Sequence, residues 1–285
     1  MTWKGYEIEI HDHFKRMFPN ADISHNVTVA GRYSKADRQI DILIEDYVAG
    51  NRIRIVVAGK FFSEKIDVKD VEMFIGMLND CEANKGLLIT QEGFSKAAIN
   101  RAHYDPIDIE LDILNFKDLH QFQGYVGLPY NGKHGVVLSA PFGWVIDGTR
   151  RPNMLASLYQ RGLTLEQAAG ENREWMYVNL RSKDDEIKTF DDFLKFQEAY
   201  TLHDFPDAKI EFLRTVKRDD ATIKLRVLDI KSYPTKEYTG FVDFDEFVFF
   251  CVLFTPEELK KKNIRKLESI LQQVLPLNVN QPIEQ

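Results

Sequence analysis

Three residues far apart in the chain have side chains that could do chemistry together: Glu7, Asp41 and Lys60. Glu7 falls on a stripe with Trp3, Ile10, Phe14 and Met17, whose 4-3-4-3 spacing marks one face of a helix. A solvated glutamate has no reason to sit on such a stripe, and Glu9 is turned about 200° away, to the outside. Asp41 lies in QIDILIE (39–45) and Lys60 ends RIRIVVAGK (52–60), both of strand character. Carboxylates converging on one point offer the oxygen ligands that Mg²⁺ prefers. A lysine beside them orients an attacking water or offsets charge developing on a phosphate. That is a layout for phosphodiester hydrolysis. From spacing alone a plainer arrangement stays open, with Asp41 and Lys60 an ion pair at a sheet end and Glu7 extended to water.

The convergence depends on the elements around these residues. DYVAGN joins the two strand segments as a hairpin, with Gly50 in the turn. A turn centred between Ala49 and Gly50 makes paired positions sum to 99 and sets Asp41 opposite Ala58. Their Cβ atoms would then be about 4.5–5.5 Å apart, with Lys60 diagonally close. PNAD (19–22) stops the first helix, and a strand is expected around Asn26–Ala30 with a turn at Gly31. IDVKDVEMFIGML (66–78) reads as a helix capped by Asp67, burying Val71, Phe74, Ile75 and Leu78. KGLLIT (85–90) is a strand, GFSKAAINRAH (93–103) a helix and IDIELDIL (107–114) a last strand. The order α–β–β–β–α–β–α–β predicts an α/β (α+β) unit, a mixed sheet flanked by helices.

GLPYNGKHG (127–135), rich in Gly, Pro and Asn, marks the region of a boundary between domains 1–124 and 125–285. Beyond it, HGVVLSAP, FGWVIDG, EWMYVNLRS, AKIEFLRTV, ATIKLRVLDI and EFVFFCVLF read as strands. NMLASLYQRG, LTLEQAAGEN and TFDDFLKFQEAY read as helices. EELKKKNIRKLESILQQVL closes the chain as an amphipathic helix with Leu259, Leu267, Ile270, Leu271 and Val274 inward. This is a second α+β domain. Hydrophobic content of 44% supports folded cores throughout, and Cys81 and Cys251 sit in apolar contexts as reduced thiols. No basic-then-apolar signal opens the chain and no run approaches the ~18 apolar residues of a membrane span, so a soluble, cytoplasmic protein is expected. The net charge of −7 argues weakly against a surface coated in phosphate contacts, but a nuclease that gathers carboxylates around metal ions is compatible with it.

GRYSKADRQIDILIE, RIRIVVAGKFFSEKIDVKDVE, ANKGLLIT and GFSKAAINRA, in that order, resemble the catalytic domain of Mrr-type restriction endonucleases, in the PD-(D/E)xK nuclease superfamily. The resemblance covers roughly residues 5–120. It implies a restriction-endonuclease-like fold and Mg²⁺-dependent (or Mn²⁺-dependent) cleavage of DNA phosphodiesters in restriction or phage defence. It places the family's helix glutamate on Glu7, its metal-binding aspartate on Asp41 and its lysine on Lys60, with Gln39 lining the site. One position departs. The family has Glu, Asp or Gln two residues before the lysine, and here stands Ala58, whose methyl group cannot ligate a metal. Three accounts are open: an acid replaced by alanine to inactivate the enzyme, natural loss of catalysis with binding kept, or a carboxylate supplied by Glu64 or Glu72. The first is favoured because the rest of the motif is intact. The competing reading is a non-catalytic nucleic-acid-binding or assembly subunit on a nuclease fold.

Lys85, Ser95 and Arg38 are further candidates for contacts to nucleic acid, although Ser95 also suits a helix cap. His11 and His13 are two apart on a helix and share no face, which speaks against a two-histidine metal site. KKKNIRK (260–266) and GTRRP (148–152) are either solvated basic segments or contacts to DNA or a partner protein. FVDFDEFVFFCVLF reads as buried strand rather than a base-stacking platform. The second domain is expected to recognise the target or dock on a protein partner, and the resemblance implies a dimer or higher oligomer.

Overall fold

The computed structural model describes residues 2–48, 51–104, 110–121, 124–131, 133–172, 174–218 and 220–278. The chain divides into two compact units, Met1–Phe122 and Gln123–Gln285.

In the first unit the order is α1 (Trp3–Met17), β1 (Asp22–Ala30), β2 (Asp37–Val48), β3 (Asn51–Lys60), α2 (Val68–Asp80), β4 (Lys85–Thr90), α3 (Lys96–His103) and β5 (Glu110–Asn115). The strands form one sheet in the order β1-β2-β3-β4-β5. The first three are antiparallel, and β3, β4 and β5 are parallel, so the sheet is mixed as expected. Asp67 caps α2 in a reciprocal box with Asp70, and Ser95 caps α3 by accepting from the Ala98 N–H. α1 packs on β1–β3, and α2 and α3 pack on each other and on β4 and β5. Two glycines show which helix covers which face. A Cβ on Gly86 would meet Leu78 and Phe74 of α2, and one on Gly59 would meet Tyr6 and Ile10 of α1. The expected strand at 107–114 starts at Glu110 in the described residues; positions 107–109, like the hairpin turn at Ala49–Gly50, lie outside them.

The second unit contains β6 (Tyr125–Pro129), β7 (His134–Ser139), β8 (Trp144–Asp147), β9 (Ala156–Gln160), α4 (Leu165–Gln167), β10 (Trp175–Ser182), α5 (Phe190–Asp204), β11 (Lys209–Lys217), β12 (Thr222–Asp229), β13 (Glu237–Asp243), β14 (Phe247–Phe254), α6 (Lys260–Gln273) and β15 (Leu275–Asn278). Seven strands form an antiparallel sheet in the order β11-β12-β13-β14-β10-β9-β8, and β15, β7 and β6 form a small second sheet. α6 docks on β13 and β14, where Gly240 leaves room for Leu271. Leu259, Leu267, Ile270, Leu271 and Val274 are all buried.

Several expectations need correction. GLPYNGKHG is part of the β6–β7 hairpin inside the second unit. NMLASLYQRG forms β9 rather than a helix: Ala, Leu and Gln favour helix locally, but pairing with both β8 and β10 overrides that preference. β6, β13 and β15 were not anticipated, since EYTGFVD carries a glycine and little alternation. KKKNIRK is not a uniformly solvated face, because Asn263 and Lys266 are buried. Asn263 Nδ2 donates to Glu174 Oε1 at 2.7 Å and to Thr255 Oγ1 at 2.9 Å, tying α6 to buried polar groups. Asn263→Ala is therefore expected to cost about 1–3 kcal/mol in urea unfolding, whereas Lys261→Ala changes little. In GTRRP, Arg150 donates to the carbonyls of Pro129 and Tyr130, and Arg151 pairs with Asp147 at 2.9 Å.

Candidate active site

The β2–β3 ladder runs from Ile42–Val57 to Val48–Asn51, each pair summing to 99, the expected register. It closes one residue short of Asp41 and Ala58. On the other side, Asn26 adopts a left-handed backbone (φ 54°), and the β1–β2 ladder skips the Asn26–Asp41 position. Asp41 is thus released from strand pairing on both sides. Its Oδ2 instead accepts the Gly59 N–H at 2.9 Å.

Glu7 is 5% exposed on α1, and its Oε2 lies 3.5 Å from His25 Nε2 on β1. Burial, then the charge of Asp41, raises Glu7 above the ordinary carboxylate range; His25 and Lys60 pull in the opposite direction. Burial also raises Asp41, opposed by the Gly59 N–H, Lys60 and His25. Glu7, Asp41, Lys60 and His25 therefore lie within one another's fields. Tyr6, fully buried on α1 against Phe61 and Phe116, has its phenol raised by burial and by Asp41. Lys60 Nζ lies 6.0 Å from the ring centre of the exposed Phe62. Two acids and two bases gather where β3 leaves the sheet.

His25 was not anticipated. It lies in ISHNV, whose alternation gives no sign that β1 kinks at the next residue, and the only available signal was a histidine beside an Asn able to take positive φ.

The other predicted residues are placed differently. Ala58 is 3% exposed in the apolar cluster with Ile40, Val56 and Leu88, on the face of β3 opposite the one that Gly59 turns to α1. Gln39 is exposed; its Nε2 donates to Asn26 Oδ1 at 2.6 Å, so its amide braces the β1 kink. Arg38 is held by Asp80, with Nε donating to Oδ2 at 2.6 Å. Asp80 also accepts from the Tyr33 and Ser34 N–H groups and the Ser34 hydroxyl, so Arg38 is part of a structural clasp on the β1–β2 loop. Lys85 pairs with Ile55 in the β3–β4 register and Lys60 with Thr90, which puts Lys85 five residues, roughly 16 Å, from the Lys60 end; it bonds Glu110 at 2.9 Å. Ser95 is occupied as the α3 cap. Glu72 is engaged by Arg101 across α2 and α3, and Glu64 is exposed in the loop after β3. Cys81 and Cys251 are free and buried.

Among the described residues no group of three or more His, Cys, Asp and Glu is arranged to hold a metal ion. Two carboxylates raised by burial, Glu7 also by the charge of Asp41, nevertheless suit a hard cation, which uses one or two such ligands and keeps its waters. The same raised values predict a pH dependence. The unfolded chain binds protons near the ordinary carboxylate value of ~4 and the folded chain binds them at higher pH. The stability these groups lend is fully present below that unfolded value and is lost as pH rises through their folded values. Asp41→Asn, which keeps an acceptor for Gly59, is expected to raise the melting temperature at pH 7, with the gain vanishing as melts are taken down toward pH ~4.

The restriction endonuclease family model Mrr_cat matches residues 1–122. No curated protein matches the chain. Among solved structures, a protein of unknown function, AF1548, is 19% identical over 38% of this chain and 58% of its own, with a TM-score of 0.30. This chain thus spans little more than half of that protein. LpqN of Mycobacterium tuberculosis, involved in cell envelope biogenesis, is 10% identical over 54% of this chain and 90% of its own, at TM-score 0.40. The MspJI restriction endonuclease in complex with a 27-mer oligonucleotide is 14% identical over 41% and 27%, at TM-score 0.29. No helix of the described residues is long and apolar enough to cross a membrane.

Proposed function

We propose that the restriction-endonuclease domain of residues 1–122 engages DNA phosphodiesters at Glu7, Asp41 and Lys60, and that Ala58 leaves hydrolysis impaired. The observation that carries this reading is the shared electrostatic locale of Glu7, Asp41 and Lys60 at the end of β3. Lys60 is the cation for the scissile phosphate, and it offsets charge that builds there. Glu7 and Asp41 would hold a divalent cation, Mg²⁺ or Mn²⁺, which when bound supplies Lewis-acid polarisation of the phosphate and its water. Asp41 is oriented for this by the Gly59 N–H, and Glu7 by the contact with His25. The biological setting that fits is restriction or phage defence, with the second unit choosing the target or a protein partner.

A second reading, a DNA-binding subunit without catalysis, is favoured by one feature: the Ala58 methyl group is packed in an apolar cluster with Ile40 and Leu88. The two diverge in a plasmid-nicking assay run beside DNA binding. On the leading reading the chain binds DNA and nicks supercoiled plasmid slowly with Mg²⁺ or Mn²⁺, and Asp41→Asn abolishes the nicking. Lys60→Ala is expected to weaken binding uniformly across sequences and to reduce the salt slope by about one. DNA binding that is indifferent to Lys60 would refute both readings of this site.

A further inference from the structure

The seven-stranded sheet of the second unit carries a polar and aromatic row that the nuclease reading does not use. Its register lines up Arg226, Thr239, Val252 and Tyr177 across β12, β13, β14 and β10. On the same face, two residues along, the next row is Leu228, Glu237, Phe254 and Trp175. Long side chains stand at both ends of the first row, with the shorter, buried Thr239 and Val252 between them.

Arg226 is 3% exposed. Its Nη2 donates to Glu237 Oε1 at 3.2 Å and to Thr239 Oγ1 at 3.3 Å, and the guanidinium lies 5.2 Å from the Phe241 ring centre. Its Nε and Nη1 are buried and have no hydrogen-bond partner among the described residues. A guanidinium keeps its proton at any ordinary pH, so these N–H groups demand an acceptor, and a buried donor without one is costly. Around them stand half-exposed aromatics. Trp175 and Phe254 stack with centroids 5.0 Å apart, and Tyr177 stacks on Phe254 at 6.4 Å. Burial and, after it, the Glu237 carboxylate raise both Tyr177 and Tyr233. Tyr233 also packs edge-on against Phe205, the residue that ends α5.

We propose that this row is a ligand site for a planar oxyanion, its charged end accepting from Arg226 Nε and Nη1 and its ring lying against the Trp175–Phe254–Tyr177 ladder. The chemistry matches on both counts: buried arginine donors call for carboxylate or phosphate oxygens, and a stack of partly exposed rings suits a flat apolar body. Glu237 already offsets part of the Arg226 charge, which favours a ligand of low charge over a polyphosphate. The site goes beyond the nuclease reading and does not depend on it.

Calorimetry and tryptophan fluorescence on the full chain test this with four probes: AMP, benzoate, inorganic phosphate and adenosine. AMP or benzoate is expected to bind, quench Trp175 and raise the melting temperature, and whichever binds more tightly identifies the oxyanion. Phosphate alone and adenosine alone should each be weaker by roughly tenfold or more. Arg226→Lys, which keeps the charge and removes the planar donors, should lose the same factor, as should Trp175→Leu at its half-exposed position. The second variant covers the case in which Arg226→Lys fails to fold. No binding by any probe, meaning that water alone completes Arg226, overturns the proposal. So does binding that both variants leave unchanged, and so does phosphate binding as tightly as AMP and benzoate.

Discussion

Ala58→Glu is expected to confer Mg²⁺-dependent nicking of supercoiled DNA at least about 10²-fold above the chain as it stands, the scale of removing one oriented group from a charged site. The gain depends on the longer side chain carrying its carboxylate past the strand end to Asp41. It comes with a stability cost. Position 58 is 3% exposed among Ile40, Val56 and Leu88, and a carboxylate that begins there is partly desolvated. A loss of about 1–3 kcal/mol is expected from thermal or urea unfolding. Two controls isolate the chemistry. Ala58→Leu fills similar space without oxygen and should give no gain over the chain as it stands, and Lys60→Ala added to Ala58→Glu should remove the gain. A folded Ala58→Glu protein that binds DNA and Mg²⁺ yet cuts nothing would eliminate the impaired-enzyme reading and leave the binding subunit.

Gly59→Val is expected to damage fold and site together. A Cβ at Gly59 would stand 3.0 Å from Tyr6 Cε1 and 3.2 Å from Ile10 Cδ1, tighter than nearly all real Cβ contacts, so these neighbours must give way. Both neighbours are fully buried in the tight contact of α1 with β3, so relief requires the helix to move outward. Overpacking of this kind costs about 1–3 kcal/mol. Because Glu7 follows Tyr6 on α1, that movement also withdraws a carboxylate from Asp41, and DNA nicking by the Ala58→Glu protein should fall when Gly59→Val is added. Gly59→Ala gives a smaller loss of both. Valine is otherwise well suited to a strand, so an unchanged melting temperature would mean that α1 does not pack as described.

Much of the first unit is legible in the sequence for identifiable reasons. The stripe through Glu7, Ile10 and Phe14, the sum-to-99 register and the Asp67 cap are local patterns with strong physical causes, and each appears in the fold. His25 and the role of Gln39 were not legible, because both depend on a left-handed residue at Asn26 that only the β2 partner makes necessary. Lys85 and Arg38 look like free basic residues in the sequence; their partners Glu110 and Asp80 become neighbours only through tertiary structure. In the second unit, β9 has helix-forming residues, and β13 is interrupted by Gly240, whose missing side chain is explained only by Leu271 on a helix that arrives late in the chain. Arg226 looks like an ordinary strand cation until the register sets it beside Glu237 and Thr239.

The Gly59 amide joins the two halves of the candidate site. Its proton points at Asp41, and the missing side chain of the same residue receives Tyr6 of the helix that carries Glu7. The molecule therefore contains its own reporter: the nitrogen-15 and proton resonances of one backbone amide. Glycine amide signals fall in an uncrowded part of the spectrum, and this one moves when Asp41 gains a proton or takes up a cation, and again when α1 shifts. A single peak can follow acid titration, metal arrival and DNA engagement without any cleavage having to occur.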